Sequence, residues 1–409
     1  MAHTLISLVC TKMRTRAHIR LLLQIALFHL SNAVLLSDDL AITSPRSYET
    51  CPEASSDPAK VAFRRTLDCN NEPLLTFTIL PEPGTSGGFG DRLKGMVTTF
   101  YQALMTDSSF SIDWTRPYDL GNFFSLNRCS RASNDGEPNS LRRAIDSQEW
   151  TYILNGTYKN DIQRSVRIAT NSFQWLHIVR DPEFRDRARV LGLLPASHAK
   201  LFKMAVDSIL ECPHKLLREA YGQLLLRFSE RGYPRYERRM RIRYVGVQLR
   251  LGGDRVVGWE DPPRHSMQDV FCFVDETLRL CQKLHVSKVF ITSDSKAGAD
   301  LFKRTLQSGW KGRGPLKVVE TPGIITHTDR SVGMVEQGAD AWTKSILDWL
   351  ALRHAAALVV SESGFGQTAA WASDALHAST LALSSEKKCH FFDARVQRPL
   401  TPGSPADDP

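Results

Sequence analysis

The chain has 409 residues, 42% of them hydrophobic and 23% charged, with 25 glycines and 20 prolines. That balance is close to the average for globular proteins and excludes a collagen-like, disordered or polytopic chain. The length suits two domains of roughly 150 to 200 residues, each able to bury its own core. Lys and Arg number 52 against 44 Asp and Glu, a formal charge of +8, which permits anionic ligands without selecting one.

Lys12, Arg14, Arg16 and Arg20 precede an apolar run from Leu21 to Leu30, broken by Gln24 and His29, and then Ser31, Asn32 and Ala33. Basic, apolar and small residues in that order form a secretory signal over 1–33, either a cleaved peptide or a signal anchor. The run falls short of the roughly 20 apolar residues of a comfortable membrane span. Residues 34–70, rich in Ser, Pro, Asp and Glu without periodicity, read as a stem.

Of eight cysteines, Cys51, Cys69, Cys129, Cys212, Cys272, Cys281 and Cys389 follow the signal. The odd number leaves at least one thiol free or intermolecular, and none has zinc-ligand spacing. Disulfides are expected, with Cys51 and Cys69 able to close a small loop. Cys272 and Cys281, nine apart on one predicted helix, cannot pair. The single sequon, Asn155-Gly156-Thr157, fits a glycoprotein of the secretory lumen, in the Golgi or endoplasmic reticulum, or secreted.

Order is expected to begin at Leu74–Leu80, a continuous apolar run typical of a buried strand. A glycine turn, Gly87-Gly88-Phe89-Gly90, opens a helix on which Leu93, Met96, Val97, Phe100 and Leu104 share a face, and Phe110–Trp114 is the next strand. Strand, helix and strand make a βαβ unit and a parallel sheet. Residues 198–243 look helical and end in a basic run from Arg235 to Arg243, a solvated face or a contact for an anionic substrate or membrane. A second series of units begins at Tyr244–Leu249. Helices are expected near 266–284, 297–307 and 340–356 and from Gly366, between strands at 289–292, 316–319, 357–360 and 380–383. The fold class is therefore α/β, with two Rossmann-like lobes and a cleft between them: 71–240, 241–395, and a disordered tail over 396–409.

In a doubly wound sheet, ligands bind where strands end and helices begin. Three such loops stand out. In Gly87–Gly90 the glycines let a ligand, or the other lobe, approach the backbone closely. Arg250 emerges from an apolar strand, where its fork suits a diphosphate or a salt bridge to an acid such as Asp254. Ser363 and Gly364 stand at a helix start, either as a phosphate cradle or as a plain cap.

Together the three loops resemble the fucosyltransferase superfamily, in particular the core α1,6- and nodulation fucosyltransferases. Gly88-Phe89-Gly90-Asp91-Arg92-Leu93 is similar to that family's Gly-Phe-Gly turn. Arg250, Asp254, Arg255, Gly258 and Glu260 follow the order of its central signature with one extra glycine. Ile346-Leu347-Asp348-Trp349 with Leu358–Gly364 is similar to its C-terminal signature. The resemblance implies a GT-B-like fold whose first lobe serves the acceptor and whose second binds the nucleotide sugar. It implies inverting, metal-free transfer of fucose from GDP-fucose to a glycan, with no cofactor beyond that donor and no nucleic acid.

Residue by residue, the resemblance implies that Glu260 is the general base and Arg250 neutralises the departing diphosphate, with Asp254 in the same catalytic group. Gly88, Gly90, Arg255, Asp294, Asp348, Ser363 and Gly364 would lie at the donor. Two positions depart from the family: Gln248 replaces a histidine, which bears on base recognition, and Leu251 replaces an arginine, which removes a positive charge near the diphosphate. A silent nucleotide- or glycan-binding relative, or a transferase with another donor or a protein hydroxyl as acceptor, are the alternatives. No acidic pair follows a strand as a metal-diphosphate site requires.

Overall fold

The computed structural model describes residues 57–68, 74–79, 87–116, 118–126, 140–143, 166–228, 242–252, 264–323, 334–381 and 389–395. The signal, the sequon, Cys51, Cys69 and the C-terminal tail lie outside them. No helix among the described residues is long and apolar enough to cross a membrane.

The segment expected to be stem contains a helix. Strand-like or helical periodicity is weak there, but α1 (Pro58–Leu67) starts with Asp57, whose carboxylate accepts from the Ala59 amide, and has proline in its first turn. It buries Ala59 and Phe63, and the Phe63 ring meets Phe100 and Tyr101 edge-on at 5.1 and 6.1 Å.

The first sheet comprises β1 (Leu74–Thr78), β2 (Ser109–Asp113), β3 (Ser140–Arg143) and β4 (Val166–Ala169), ordered β2-β1-β4-β3 and wholly parallel. Its first crossover is α2 (Phe89–Met105), in which every residue except Asp91 is buried. A helix enclosed on all sides needs a close approach somewhere. At Gly95 a Cβ would lie 1.8 Å from the Thr170 carbonyl oxygen, so α2 touches the chain leaving β4. Helices α3 (Trp175–Arg180), α4 (Arg185–Val190), α5 (His198–Ile209) and α6 (Lys215–Phe228) follow.

The second sheet holds β5 (Val245–Leu249), β6 (Lys288–Ser293), β7 (Lys317–Val319), β8 (Ala357–Ser361), β9 (His377–Leu381) and β10 (Phe391–Asp393). The order is β10-β9-β8-β5-β6-β7, parallel except for β10, which runs against β9. Its helices are α7 (Val270–Leu284), α8 (Lys296–Gln307), α9 (Met334–Arg353) and α10 (Gly364–Ala372). The apolar runs of β5 and β8 are buried throughout, as strands covered on both faces must be.

The two sheets do not have separate cores. One face of the second sheet packs α7 and α8 in its own cluster, whereas Trp342, Ile346, Trp349, Ala369 and Trp371 on α9 and α10 join the cluster of the first sheet. α10 packs against both α2 and α5. Cys272 on α7 is bonded to Cys389 before β10, 117 positions away, and Cys212 is also disulfide-bonded. Cys281, on the same helix as Cys272, is free and buried, and that burial pushes its thiol up to about 12.

Candidate functional site at the junction of the two sheets

In the second sheet the strand order reverses between β5 and β8, and loops leaving such neighbours diverge to form a crevice. Arg250 is the first residue after β5, and Ser363 and Gly364 come shortly after β8. The backbone carrying Arg250 is held amide by amide. Arg250 N donates to Ser361 Oγ at 2.8 Å, Leu251 N to Asp294 Oδ1 at 2.8 Å, and Gly252 N to Asp294 Oδ2 at 3.0 Å. The Asp294 carboxylate therefore holds the loop directly after Arg250.

Gln248 has a similar inward task. Its Oε1 accepts from Ser361 N at 3.1 Å and from Ser363 Oγ at 3.3 Å, and Ser363 Oγ accepts from Gly366 N at 3.2 Å to cap α10. The buried amide thus ties the end of β5 to the start of α10. Its role in the described site is structural, and Ser363 acts as the cap.

Leu251 requires a correction. The expectation that it removes a charge beside the diphosphate assumes that its side chain faces the crevice. It is instead buried in the second core, where a Cβ on Gly298 would lie 2.4 Å from Leu251 Cδ1. An arginine pointing that way would enter apolar packing under α8.

Asp348, on α9, is also enclosed. It accepts from Thr292 Oγ1 at 2.7 Å, from Lys344 Nζ at 2.9 Å and from Thr321 Oγ1. Lys344 Nζ donates in addition to Thr321 Oγ1 at 2.7 Å. This buried pair, satisfied by two hydroxyls, braces the ends of β6 and β7 against α9. Asp254, Arg255 and Glu260 lie outside the described residues.

The N-terminus of α2 meets this edge from the first sheet. A Cβ at Gly90 would lie 2.3 Å from both the carbonyl carbon and oxygen of Gly364. Of the two readings of the glycine loop, contact with the other half of the chain is therefore observed. Gly88 is the N-cap, and its amide donates to Asp91 Oδ2 at 3.2 Å. Phe89 sits in an aromatic nest with Trp114 at 5.7 Å, Trp342 and Trp349 at 5.8 Å and Phe365 at 6.3 Å.

Asp91 is the acidic group at this junction that sequence reasoning passed over. Lys94 Nζ donates to Asp91 Oδ1 at 3.0 Å, and a Cβ on Gly364 would lie 2.4 Å from the same oxygen. Partial burial would raise the Asp91 pKa, but the Lys94 ammonium and its hydrogen bond, the Gly88 amide and the charge of Arg250 more than offset it and hold the carboxyl below its usual range. The sequence signal was an acid three residues after an N-cap, with a lysine a further three along.

Among the described residues no group of three or more His, Cys, Asp or Glu side chains could hold a metal ion. The junction brings together Arg250, the buried Lys94, the Asp91 carboxylate and two helix N-termini. That set can bind an anionic group and hold a neutral polar one beside it.

No protein-family model and no curated protein matches the chain. Among solved structures it is similar to a mutant FUT1 of Arabidopsis thaliana in complex with GDP, at 16% identity and TM-score 0.49 over 81% of this chain and 75% of that one. It is also similar to the fucosyltransferase NodZ from Bradyrhizobium, at 13% identity and TM-score 0.42 over 79% and 99%. A third, POFUT1 in complex with GDP-fucose, gives 11% identity and TM-score 0.40 over 75% and 96%. None of the three reaches a TM-score of 0.5.

Proposed function

We propose that the chain is an inverting, metal-independent glycosyltransferase that moves fucose from GDP-fucose to a glycan hydroxyl in the secretory lumen. The observation that carries this reading is the strand reversal between β5 and β8, with Arg250 fixed at its mouth and the N-termini of α10 and α2 beside it. Such a crevice suits a nucleoside diphosphate. Fucose and guanine come from the resemblance of the three sequence signatures.

In the reaction the acceptor oxygen forms a bond to the anomeric carbon as that carbon's bond to the β-phosphate oxygen breaks. The electron pair leaves on GDP, and the acceptor proton passes to the Glu260 carboxylate. Arg250 carries charge where charge grows on the leaving group, so it stabilises the transition state more than the ground state. The Cys272–Cys389 disulfide supports an oxidising lumen.

The test is calorimetric titration of the purified chain with GDP, UDP and CMP in EDTA, beside Arg250→Ala. Selective GDP binding, lost in Arg250→Ala, is the expected result. Tighter binding of UDP would remove the fucose assignment, and no binding of any of the three would remove the transferase reading.

A further inference from the structure

We propose that Asp91 is a catalytic residue, whose carboxylate accepts a hydrogen bond from the attacking acceptor hydroxyl and faces the anomeric carbon from the side of the first sheet. The inference rests on the transferase reading and adds a residue from the opposite half of the chain.

Three observations lead to it. Asp91 is the one residue of α2 that is not buried, with its side chain 37% exposed at the junction where the loops of both sheets meet. The backbone around it is bare: Gly90 and Gly364 are in contact, and a side chain on Gly364 would enter the space taken by Asp91 Oδ1. The carboxylate is also fixed from behind, by the Gly88 amide on one oxygen and the buried Lys94 ammonium on the other, while Arg250 acts on it from the second sheet.

A cap for α2 would need only the first of these bonds. Lys94, 11% exposed in its side chain, adds a counter-charge at one carboxylate oxygen, and Arg250 adds a second from the other sheet. A fixed negative charge at this place opposes a diphosphate in the ground state and favours the positive charge that develops on the sugar as its bond to phosphate lengthens. Its contribution is therefore larger in the transition state than before it. Bond changes are those of the proposed transfer: Asp91 orients the hydroxyl and takes no proton, which goes to Glu260.

The test compares the full chain with Asp91→Asn, Asp91→Glu and Glu260→Gln, reading GDP affinity by calorimetry, release of fucose from GDP-fucose with water as acceptor, and thermal unfolding. Asp91→Asn is expected to bind GDP as well as the parent or up to about fivefold more tightly, since a negative charge beside the diphosphate is gone. Its turnover is expected to fall about 100-fold. Asp91→Glu keeps the cap and the charge but moves the carboxylate by one methylene, and is expected to bind GDP normally with turnover between the two. If Asp91→Asn does not fold, reduced turnover with intact GDP binding in Asp91→Glu carries the test. Parental turnover in either variant, or loss of GDP affinity in step with turnover, overturns the proposal. A parent chain that neither binds GDP nor cleaves GDP-fucose overturns the transferase reading and this residue's role with it. Activity in the parent with no effect at Asp91 overturns this inference alone.

Discussion

Gly90 and Gly364 bring the two halves of the chain into backbone contact: a Cβ on Gly90 would lie 2.3 Å from the Gly364 carbonyl. The obstacle is main chain, which cannot swing aside. Gly364 differs, since its nearest obstacle is the end of the Asp91 side chain at 2.4 Å. Gly90→Ala is expected to cost about 1–3 kcal/mol through forced separation, even after the helix preference of alanine is counted. Gly364→Ala is expected to cost less. Urea unfolding of both variants checks the order, and equal costs would contradict it.

The disulfide between Cys272 and Cys389 closes a segment of 117 positions and fastens the antiparallel edge of the second sheet to α7. Removing both cysteines by Cys272→Ser with Cys389→Ser is expected to lower stability by about 2–4 kcal/mol. Equilibrium unfolding under non-reducing conditions reads the loss. The free, buried Cys281 provides the control, since Cys281→Ala changes packing alone.

The buried Lys344–Asp348 pair is expected to behave asymmetrically. Lys344→Met leaves the Asp348 carboxylate enclosed with only Thr292 and Thr321 and is expected to cost about 3–5 kcal/mol. Adding Asp348→Leu removes the stranded charge, so the double variant should recover a large part of that loss. A double-mutant cycle on unfolding free energies measures it.

Much of this fold was legible in the sequence because its strands are covered on both faces. Continuous apolar runs at β1, β5, β6 and β8, separated by helical patterns, left little besides two parallel sheets. The segment of α1 hid because its Lys60, Arg64 and Arg65 surround only two buried apolar side chains, Ala59 and Phe63. At the site, Arg250 and Ser363 were legible as loop residues after strands. The direction of Leu251 was not, since a single residue of twist in the loop decides whether it faces core or crevice. Asp91 was illegible as a site residue because its neighbours, Gly364 and Arg250, come from the other half of the chain. Cysteine pairing depends on the same long-range geometry.

His198 lies between the Trp175 and Trp371 rings, with centroids at 4.2 and 4.6 Å. Burial, followed by the nearby charge of Lys94, drives its pKa down to about 3. The unfolded chain, with an ordinary value of about 6.5, therefore takes up this proton first. The corresponding stability is full above about pH 6.5, falls as pH drops from there, and stops falling below about 3. Urea unfolding at pH 7, 6 and 5 should show a slope to which His198 adds up to about 1.4 kcal/mol per pH unit. His198→Phe, which keeps the ring stack, is expected to remove that share, and an unchanged slope would show that the imidazole takes up its proton over the same pH range in the folded and unfolded chain.

Asp294 offers the sharpest separation of anchoring from contact. Its two oxygens hold the Leu251 and Gly252 amides, directly after the Arg250 amide on Ser361 Oγ. Asparagine has one carbonyl oxygen and one NH2 group, so Asp294→Asn can satisfy only one of those donors and turns an N–H toward the other. The stranded amide is expected to cost about 1–3 kcal/mol of stability. If the carboxylate acts by placing Arg250, binding of GDP should weaken about tenfold while guanosine, which lacks the phosphates, binds as to the parent. If Asp294 itself touched the base or ribose, guanosine would lose affinity to the same extent as GDP. Titration of both ligands against both chains therefore decides whether this acid supports the Arg250 loop from behind or meets the nucleotide directly.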